Sequence, residues 1–122
     1  MNKHRFSLSR KYVREMKCHL VLKGPNTICT APDENQAVLT TGNAGLAKGG
    51  SGDTLTGILL GQVMQAENTA DMVNNAVFLH GYAADLAVQD KETDYSLRAS
   101  KLAAYIPKAI KSVQLYQDSR RR

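Results

Sequence analysis

Hydrophobic and polar positions along the chain predict one helix, then three short strands, then a glycine-rich loop. Residues 7–17 carry Tyr12, Val13 and Met16 at helical spacing, which favours an amphipathic helix. Three short apolar runs follow, separated by turn-forming residues as is typical of strands: 19–22, 27–30 and 37–41. Five of the nine glycines then fall in residues 42–52, so this loop makes unusual demands on its backbone.

Helices are predicted for most of the chain after this loop. The first of them follows Asp53, and one of its faces comprises Leu55, Ile58, Leu59 and Gln62. The second, with Thr69 as its candidate cap, has this apolar side: Val73, Ala76, Val77, His80, Ala84 and Ala87. Two further helical pieces cover 98–104 and 107–116, with Pro107 at a favourable starting position. In the helix after Asp53, Gly57 and Gly61, four residues apart, predict the close approach of another backbone.

Three short strands are too few to cover this many apolar helix faces. The order of predicted helices and strands therefore indicates an α/β layer fold of which this chain supplies the C-terminal portion. A length of 122 residues allows one hydrophobic core, so residues 1–122 are predicted to form a single domain. Residues 1–7 and 118–122 are expected to be flexible basic ends.

Composition and charge narrow the classes of function. Hydrophobic residues make up 43 % and charged residues 22 %, which indicates a globular chain rather than a disordered one. The net charge of +5 comes from the ends, because residues 1–17 hold six bases against one acid and residues 120–122 are all arginine. No aromatic residues interleave with these bases, so no nucleic-acid partner is expected.

Membrane and metal-binding classes are likewise not indicated. No apolar stretch approaches the ~18 residues that would cross a bilayer, so no membrane partner is expected. The two cysteines, Cys18 and Cys29, lack the spacing of a zinc site or a disulfide framework, and no metal ligands are predicted. Free thiols of this kind favour the cytoplasm.

The strongest chemical signal is the glycine-rich run that ends in Asp53. Glycines before a helix let backbone amides approach an anion, and the helix dipole favours negative charge at that end. The predicted anion hole comprises the amides of Gly50, Ser51 and Gly52, with Lys48 as a possible additional charge. Asp53 would accept a proton from a hydroxyl in the same space. The alternative from these residues alone is a flexible turn with Asp53 as an ordinary N-cap.

Three ordered motifs carry a family resemblance. They are VLKGPNT at 21–27, TTGNAGLAKGGSGDTLTGILLGQ at 40–62 and FLHGYAADLA at 78–87. Together they closely resemble the C-terminal half of the ADP/ATP-dependent NAD(P)H-hydrate dehydratases, over roughly residues 8–110. The resemblance implies a ribokinase-like α/β/α fold. It also implies that a further glycine-rich segment, found in the first half of family members, is absent here.

The resemblance also implies a reaction and its residues. Members use ADP or ATP, with Mg²⁺ expected, to phosphorylate the ring hydroxyl of hydrated NADH or NADPH and then eliminate phosphate. Asp53 would be the catalytic base, and Gly52 would line the nucleotide site. The remaining nucleotide-binding residues are those of the KGPNT segment: Lys23, Gly24, Pro25, Asn26 and Thr27. A homo-oligomer, or a chain that supplies the missing N-terminal half, is expected as partner.

Two other functions stay open from the sequence. One is a small-molecule kinase of the same superfold, and the other is a non-catalytic nucleotide-binding or oligomerisation remnant. Among single residues, Asn43 either bonds its own loop or helps the site. His80 is interpreted as a satisfied core histidine, and Asp85 as a solvated or capping residue.

Overall fold

A computed structural model describes residues 3–47, 50–65 and 67–121, without the side chains of Lys3 and Val63. Its elements follow the predicted order of one helix, three strands and further helices. They are α1 (Lys3–Met16), β1 (Leu20–Leu22), β2 (Thr27–Thr30), β3 (Gln36–Leu39), a short 3₁₀ turn (Ala44–Leu46), α2 (Ser51–Val63), α3 (Thr69–Asp90) and α4 (Ala99–Arg120). The α/β class predicted from the sequence is confirmed.

The three strands form an antiparallel meander in the order β1-β2-β3. Val21 pairs with Cys29, and Ile28 pairs with Val38. The central strand β2 is the most buried, and Ile28 is fully excluded from solvent. The β1–β2 turn and the end of β3 thereby come to lie next to the start of α2, which is where the candidate site forms.

Helix α3 belongs to both hydrophobic clusters found among the described residues. The larger cluster joins α3 to α4 and the segment before it: Leu79, Ala83, Ala84, Ala87, Leu97, Leu102, Tyr105 and Ala109. The second joins α3 to β2 and α2: Cys29, Leu55, Val73 and Val77. Four of the eight residues in the larger cluster are alanines, with larger side chains such as Leu102 and Tyr105 packed among them. The six residues predicted for the apolar side of α3 are all buried, which confirms that prediction.

The described parts of both chain ends are helical rather than irregular. Helix α1 begins at Lys3, within the segment 1–7, and α4 ends at Arg120, within the segment 118–122. Local hydrogen bonds support the first of these ends, since Ser9 Oγ donates to the Arg5 carbonyl at 2.6 Å. Helix periodicity alone placed the start of α1 four residues too late, because three of these four residues, Lys3, His4 and Arg5, are polar.

The N-cap of α3 is Asn68 and not Thr69. The Asn68 side chain accepts a hydrogen bond from the Asp71 amide at 3.2 Å, while Thr69 is the first helical residue. Asparagine caps at least as well as threonine, so the helix begins one residue earlier than predicted.

The prediction of two helical pieces near the C-terminal end was wrong. Helix α4 is continuous and contains Pro107 in its interior. Proline has no amide hydrogen to donate to the carbonyl of Ala103, one helical turn earlier, so this bond is lost. Burial of Leu102, Tyr105 and Ala109 against α3 spans the proline on both sides and offsets that loss.

The predicted backbone approach at Gly57 and Gly61 was also wrong for the described part of the chain. A Cβ added at either glycine would meet nothing within 4 Å. Leu60 and Met64 on the same side of α2 are 64 % and 79 % exposed. Leu55, on the opposite side, makes the contact with α3 and β2. The glycine side of α2 is therefore an open face.

The two cysteines are free thiols in different surroundings. Cys29 is buried in the second cluster, and this burial raises its pKa to about 11. Cys18 is only half-buried. Among the described helices, none is long and apolar enough to serve as a membrane span.

The α3–α4 contact predicts that alanine substitution of two leucines of α4 lowers the free energy of unfolding by different amounts. Leu102→Ala should lower the free energy of unfolding by about 2–5 kcal/mol, because the side chain is buried and a cavity would remain. Leu115→Ala, on the same helix but 60 % exposed, should change it by less than about 0.5 kcal/mol. Urea denaturation followed by circular dichroism measures both values. Equal effects of the two substitutions would contradict the assignment of this cluster as the core.

Candidate functional site

A cleft of about 530 Å³ opens where the β1–β2 turn, the segment after β3 and the start of α2 meet α3. Its lining residues are Lys23, Gly24, Pro25, Thr27, Thr41, Gly42, Asn43, Ala44, Leu46, Ala47, Ser51, Leu55, Val77, His80 and Gly81. The structure thus brings the KGPNT turn and the glycine-rich segment, which are far apart in sequence, to opposite walls of one cavity.

Lys23 lies at the N-terminus of α2. The position that a Cβ would occupy on Gly52 is only 2.8 Å from Lys23 Nζ, so a side chain at residue 52 would displace the ammonium group. The ammonium group and the positive end of the helix dipole are thereby placed together. Both are positive, so they favour an anion beside them, and phosphate is the usual ligand of such a helix end.

The start of α2 has the geometry of an anion site. Gly50 is the N-cap residue, with φ of +89°, a left-handed conformation that favours glycine. Within the described chain no side chain caps this helix end. The alternative in which Asp53 caps the helix is therefore excluded. The two neighbouring positions Lys48 and Gly49 lie outside the described residues.

The position of Asp53 differs from that of the other predicted residues. It lies in the first turn of α2, is exposed and is not among the residues that line the cleft. At helical spacing it shares the open face of α2 with Gly57, Leu60 and Met64. Its carboxylate is thus available to a molecule that lies against the open face rather than to one that stays within the cleft.

His80 joins α3 to the start of α2. Its Nε2 lies 2.9 Å from the Ser51 carbonyl oxygen, which only a protonated Nε2 can approach as a donor. Burial lowers the pKa of His80, and the nearby Lys23 lowers it further against the opposing effect of the Ser51 bond. The buried and bonded side chain confirms the interpretation of His80 as a satisfied core histidine.

The β1–β2 turn is held by a residue that the sequence interpretation assigned to a flexible end. Arg5 lies in α1, and its guanidinium donates to the carbonyls of Leu22 at 3.3 Å and Lys23 at 3.4 Å. A Cβ on Gly24 would come within 2.8 Å of the same guanidinium. Arg5 therefore fixes the backbone of the KGPNT turn, and only its contacts in three dimensions could reveal this.

The segment 41–47 forms the second wall and lies directly on α3. Thr41 Oγ1 donates to the Phe78 carbonyl at 3.0 Å. A Cβ on Gly81 would lie 2.4 Å from Thr41 Oγ1 and 2.5 Å from its carbonyl oxygen, so only glycine allows this approach. The FLHGYAADLA motif thus holds a glycine where the segment meets the helix.

Side-chain hydrogen bonds then fix the shape of the segment. Asn43 Oδ1 accepts from the Gly45 amide at 2.9 Å, which supports the view that Asn43 bonds its own loop. Asp85 accepts from the Gly42 amide at 2.9 Å and from Asn43 Nδ2 at 3.1 Å. The sequence interpretation gave Asp85 as a solvated or capping residue, and the structure shows it hydrogen-bonded to the loop.

The described residues contain no group of three or more His, Cys, Asp or Glu side chains that could hold a metal ion. The cleft offers a lysine, backbone amides and a helix N-terminus. Such an arrangement suits a phosphorylated ligand that has apolar contacts with Leu46, Leu55 and Val77.

Comparisons with known proteins agree with this geometry. A family model described as NAD(P)H-hydrate dehydratase matches residues 1–108. The chain is 37 % identical over 111 residues to the ADP-dependent (S)-NAD(P)H-hydrate dehydratase of Bacillus subtilis, which covers 91 % of this chain and 40 % of that protein. It is 33 % identical over 100 residues to the bifunctional NAD(P)H-hydrate repair enzyme Nnr of Thermofilum pendens, covering 82 % of this chain and 19 % of that protein.

A solved structure shows the same fold. The ADP/ATP-dependent NAD(P)H-hydrate dehydratase of Bacillus subtilis, co-crystallized with ATP/Mg²⁺, aligns with a TM-score of 0.84 at 37 % identity. The alignment covers 90 % of this chain and 39 % of that chain. The chain therefore spans about two fifths of the length of the single-function relative that it matches.

The contact between Gly81 and Thr41 predicts opposite effects for two glycine substitutions. Gly81→Ala should lower the free energy of unfolding by about 1–3 kcal/mol, because its Cβ would overlap the Thr41 backbone. Gly57→Ala, on the open face of α2, should raise it by about 0.5–1 kcal/mol through helix propensity. Thermal or urea unfolding measures both. A tolerated Gly81→Ala would show that the segment 41–47 does not pack on α3 as described.

The lowered pKa of His80 predicts a pH dependence of stability. The unfolded chain binds a proton at His80 near pH 6.5, whereas the folded chain binds it only at lower pH. The free energy of unfolding should therefore decrease as the pH falls below about 6.5, down to the folded pKa. His80→Gln should lack this contribution, so the difference between the two proteins should narrow as the pH falls. Parallel stability curves would contradict the buried neutral histidine.

Proposed function

We propose, because the chain belongs to the NAD(P)H-hydrate dehydratase family, that it acts in the nucleotide-dependent dehydration of hydrated NADH and NADPH. The activity is a lyase reaction of metabolite repair. ADP or ATP phosphorylates the ring hydroxyl of the hydrate, and loss of phosphate then restores the reduced nicotinamide. The observation that carries the proposal is the placement of Lys23 against Gly52 at the N-terminus of α2.

The nucleotide is proposed to lie in the cleft between its two walls. Lys23, Gly24, Pro25, Asn26 and Thr27 would contact it from the β1–β2 turn. Lys23, Gly24, Pro25 and Thr27 line the cleft, which supports this assignment. The backbone of the turn is fixed by Arg5, so the contacts would be preorganised before the ligand binds.

The phosphates are proposed to meet the start of α2. The amides of Gly50, Ser51 and Gly52 would donate to phosphate oxygens, and Lys23 would add a full charge beside them. Asn43, which lines the cleft, is an additional candidate, and so is Lys48, which lies outside the described residues. Mg²⁺ would enter with the nucleotide, held mainly by phosphate oxygens and water, since the described side chains hold no cluster of ligands for it.

Asp53 is proposed as the base that removes the proton from the ring hydroxyl. The hydroxyl oxygen would then attack the terminal phosphorus, and the nucleotide would leave with one phosphate fewer. Since Asp53 is exposed on the open face of α2, the hydrate would bind against that face, next to the phosphates at the helix end.

The open face of α2 also supports a proposal about partners. The chain spans about two fifths of the Bacillus subtilis relative, and Leu60 and Met64 beside Asp53 are exposed. We propose that a further segment of the family fold, or a second chain in an oligomer, covers this face and completes the hydrate pocket. The cytoplasm is the proposed location, which the free thiols of Cys18 and Cys29 support.

The position of Asp53 outside the cleft also favours a second candidate function. The described chain would then bind a nucleotide without turning it over. In that case nucleotide binding remains, but no reduced nicotinamide is formed. The experiment below separates the two functions.

The test is to incubate the chain with hydrated NADH, Mg²⁺ and either ATP or ADP, and to follow the absorbance of reduced nicotinamide. Recovery should require the nucleotide and should fall about 10²–10⁴-fold in Asp53→Asn, because the base is lost. The affinity of Asp53→Asn for the nucleotide, measured by calorimetry, should stay within about threefold of wild type. This corresponds to a change of less than about 1 kcal/mol in the free energy of binding.

A lysine pair provides the control for the nucleotide site. Lys23→Met should weaken ATP binding about 10–100-fold, because a charge-assisted contact is removed. Lys111→Met, on the exposed side of α4, should leave binding unchanged. Binding without any recovery of absorbance would support the second function. Absence of nucleotide binding in a folded sample would refute both functions.

A further inference from the structure

We propose that Asp85 is the positioning residue of the nucleotide cleft, because it sets the conformation of the segment 41–47 that forms one wall. The inference rests on the proposed function in so far as the ligand is an adenine nucleotide. Asp85 does not line the cleft, so its effect on the ligand is transmitted through Gly42 and Asn43.

The hydrogen bonds of Asp85 form a chain with a fixed direction. A carboxylate can only accept, so the Asn43 amide must turn its NH₂ group towards Asp85. The side-chain oxygen of Asn43 then points to the Gly45 amide, from which it accepts at 2.9 Å. The second Asp85 oxygen accepts from the Gly42 amide at 2.9 Å. One carboxylate thus orients the Gly42 amide and the Asn43 side chain directly, and through Asn43 it holds the Gly45 amide.

The loop needs this support because its backbone is unusual. Gly42 has φ of +112°, a conformation that favours glycine, and its amide donates to Asp85 on α3. Gly42 and Asn43 both line the cleft. A change at Asp85 would therefore move the wall itself, although the side chain is set back from the ligand.

The same segment is linked to the anion end of α2. Ser51 Oγ donates to the Leu46 carbonyl at 2.6 Å, so the last part of the segment is tied to the first turn of α2. His80 holds the Ser51 carbonyl from the side of α3. Asp85 and His80, on one helix, thus fix the two parts of the cleft relative to each other.

Exchange of the two side chains gives a sharp test. In Asp85→Asn the new NH₂ group replaces one acceptor, so a donor faces either the Gly42 amide or the NH₂ group of Asn43. In Asn43→Asp two carboxylates face each other.

The double variant, which combines Asn43→Asp with Asp85→Asn, exchanges the carboxylate and the amide between the two positions. The side-chain amide now on α3 accepts from the Gly42 amide through its oxygen and donates through its NH₂ group to the carboxylate now in the loop. That carboxylate also accepts from the Gly45 amide. All three hydrogen bonds and the net charge are restored.

The first measurement is the affinity of the chain for ATP with Mg²⁺, by titration calorimetry. Asp85→Asn should bind ATP about tenfold more weakly than wild type. The two variants that carry Asn43→Asp place a carboxylate in the proposed phosphate cleft, so they are compared by hydrogen exchange alone. Asp90→Asn is the matched control. It removes a carboxylate from the same helix that accepts from Tyr105 at 2.7 Å, remote from the loop, and it should leave the affinity unchanged.

The second measurement needs no nucleotide and is hydrogen exchange at the Gly42 and Gly45 amides by NMR. Both amides should be protected in wild type, exposed in Asp85→Asn and protected again in the double variant. If wild type failed to bind ATP, the proposed function would fail and the exchange data would still test the hydrogen-bond chain. The inference is overturned if Asp85→Asn leaves either exchange or ATP affinity unchanged, or if the double variant does not regain protection.

Discussion

The close approach of Thr41 to Gly81 is the contact on which the site depends. A methyl group at residue 81 would overlap the Thr41 backbone, so the absence of a side chain there sets the distance between α3 and the segment 41–47. Asp85 and Phe78 form hydrogen bonds to that segment from the same helix. The cleft is thus defined by a helix that is buried along much of its length and forms part of both hydrophobic clusters. Rigidity of this kind suits a site in which backbone amides must meet an anion.

Much of the fold follows from local patterns, and the exceptions have physical causes. The strands, the apolar side of α3 and the glycine-rich start of α2 could be predicted because their periodicity and turn residues are local. The interior position of Pro107 could not, since burial of Leu102 and Tyr105 before it and of Ala109 after it outweighs the lost hydrogen bond. The open face of α2 could not be predicted either. Two glycines four residues apart indicate close packing but do not identify the element that packs against them.

The candidate site, like the fold, could be predicted only in part from the sequence. The motifs identified Lys23, Gly52 and Asp53 from sequence alone, and the structure brings Lys23 and Gly52 together. Their roles as ligand-binding and catalytic residues stay predictions. Arg5 and Asp85 were missed as supporting residues, because each acts on a backbone 17 or more residues away in sequence. Contacts of that range depend on the packing of whole elements, which no local pattern specifies.

The chain therefore combines a well-formed cleft, where we propose that the nucleotide binds, with an exposed catalytic candidate. The cleft uses a lysine, helix-end amides and a fixed loop, all from within the described chain. Asp53, in contrast, faces a surface on which Leu60 and Met64 are also exposed. Under the proposed function, the nucleotide and the hydrate would bind on two different sides of α2.

The central claim, that the nucleotide binds at the start of α2 between the two walls, is most directly tested by NMR titration of the glycine amides with ATP and Mg²⁺. The account predicts that the largest shifts occur at Gly24, Gly50 and Gly52, with smaller shifts at Gly42 and Gly45. Gly61, at the far end of α2, should change least. Shifts that are absent from this group, or that are largest at Gly61, would contradict the account.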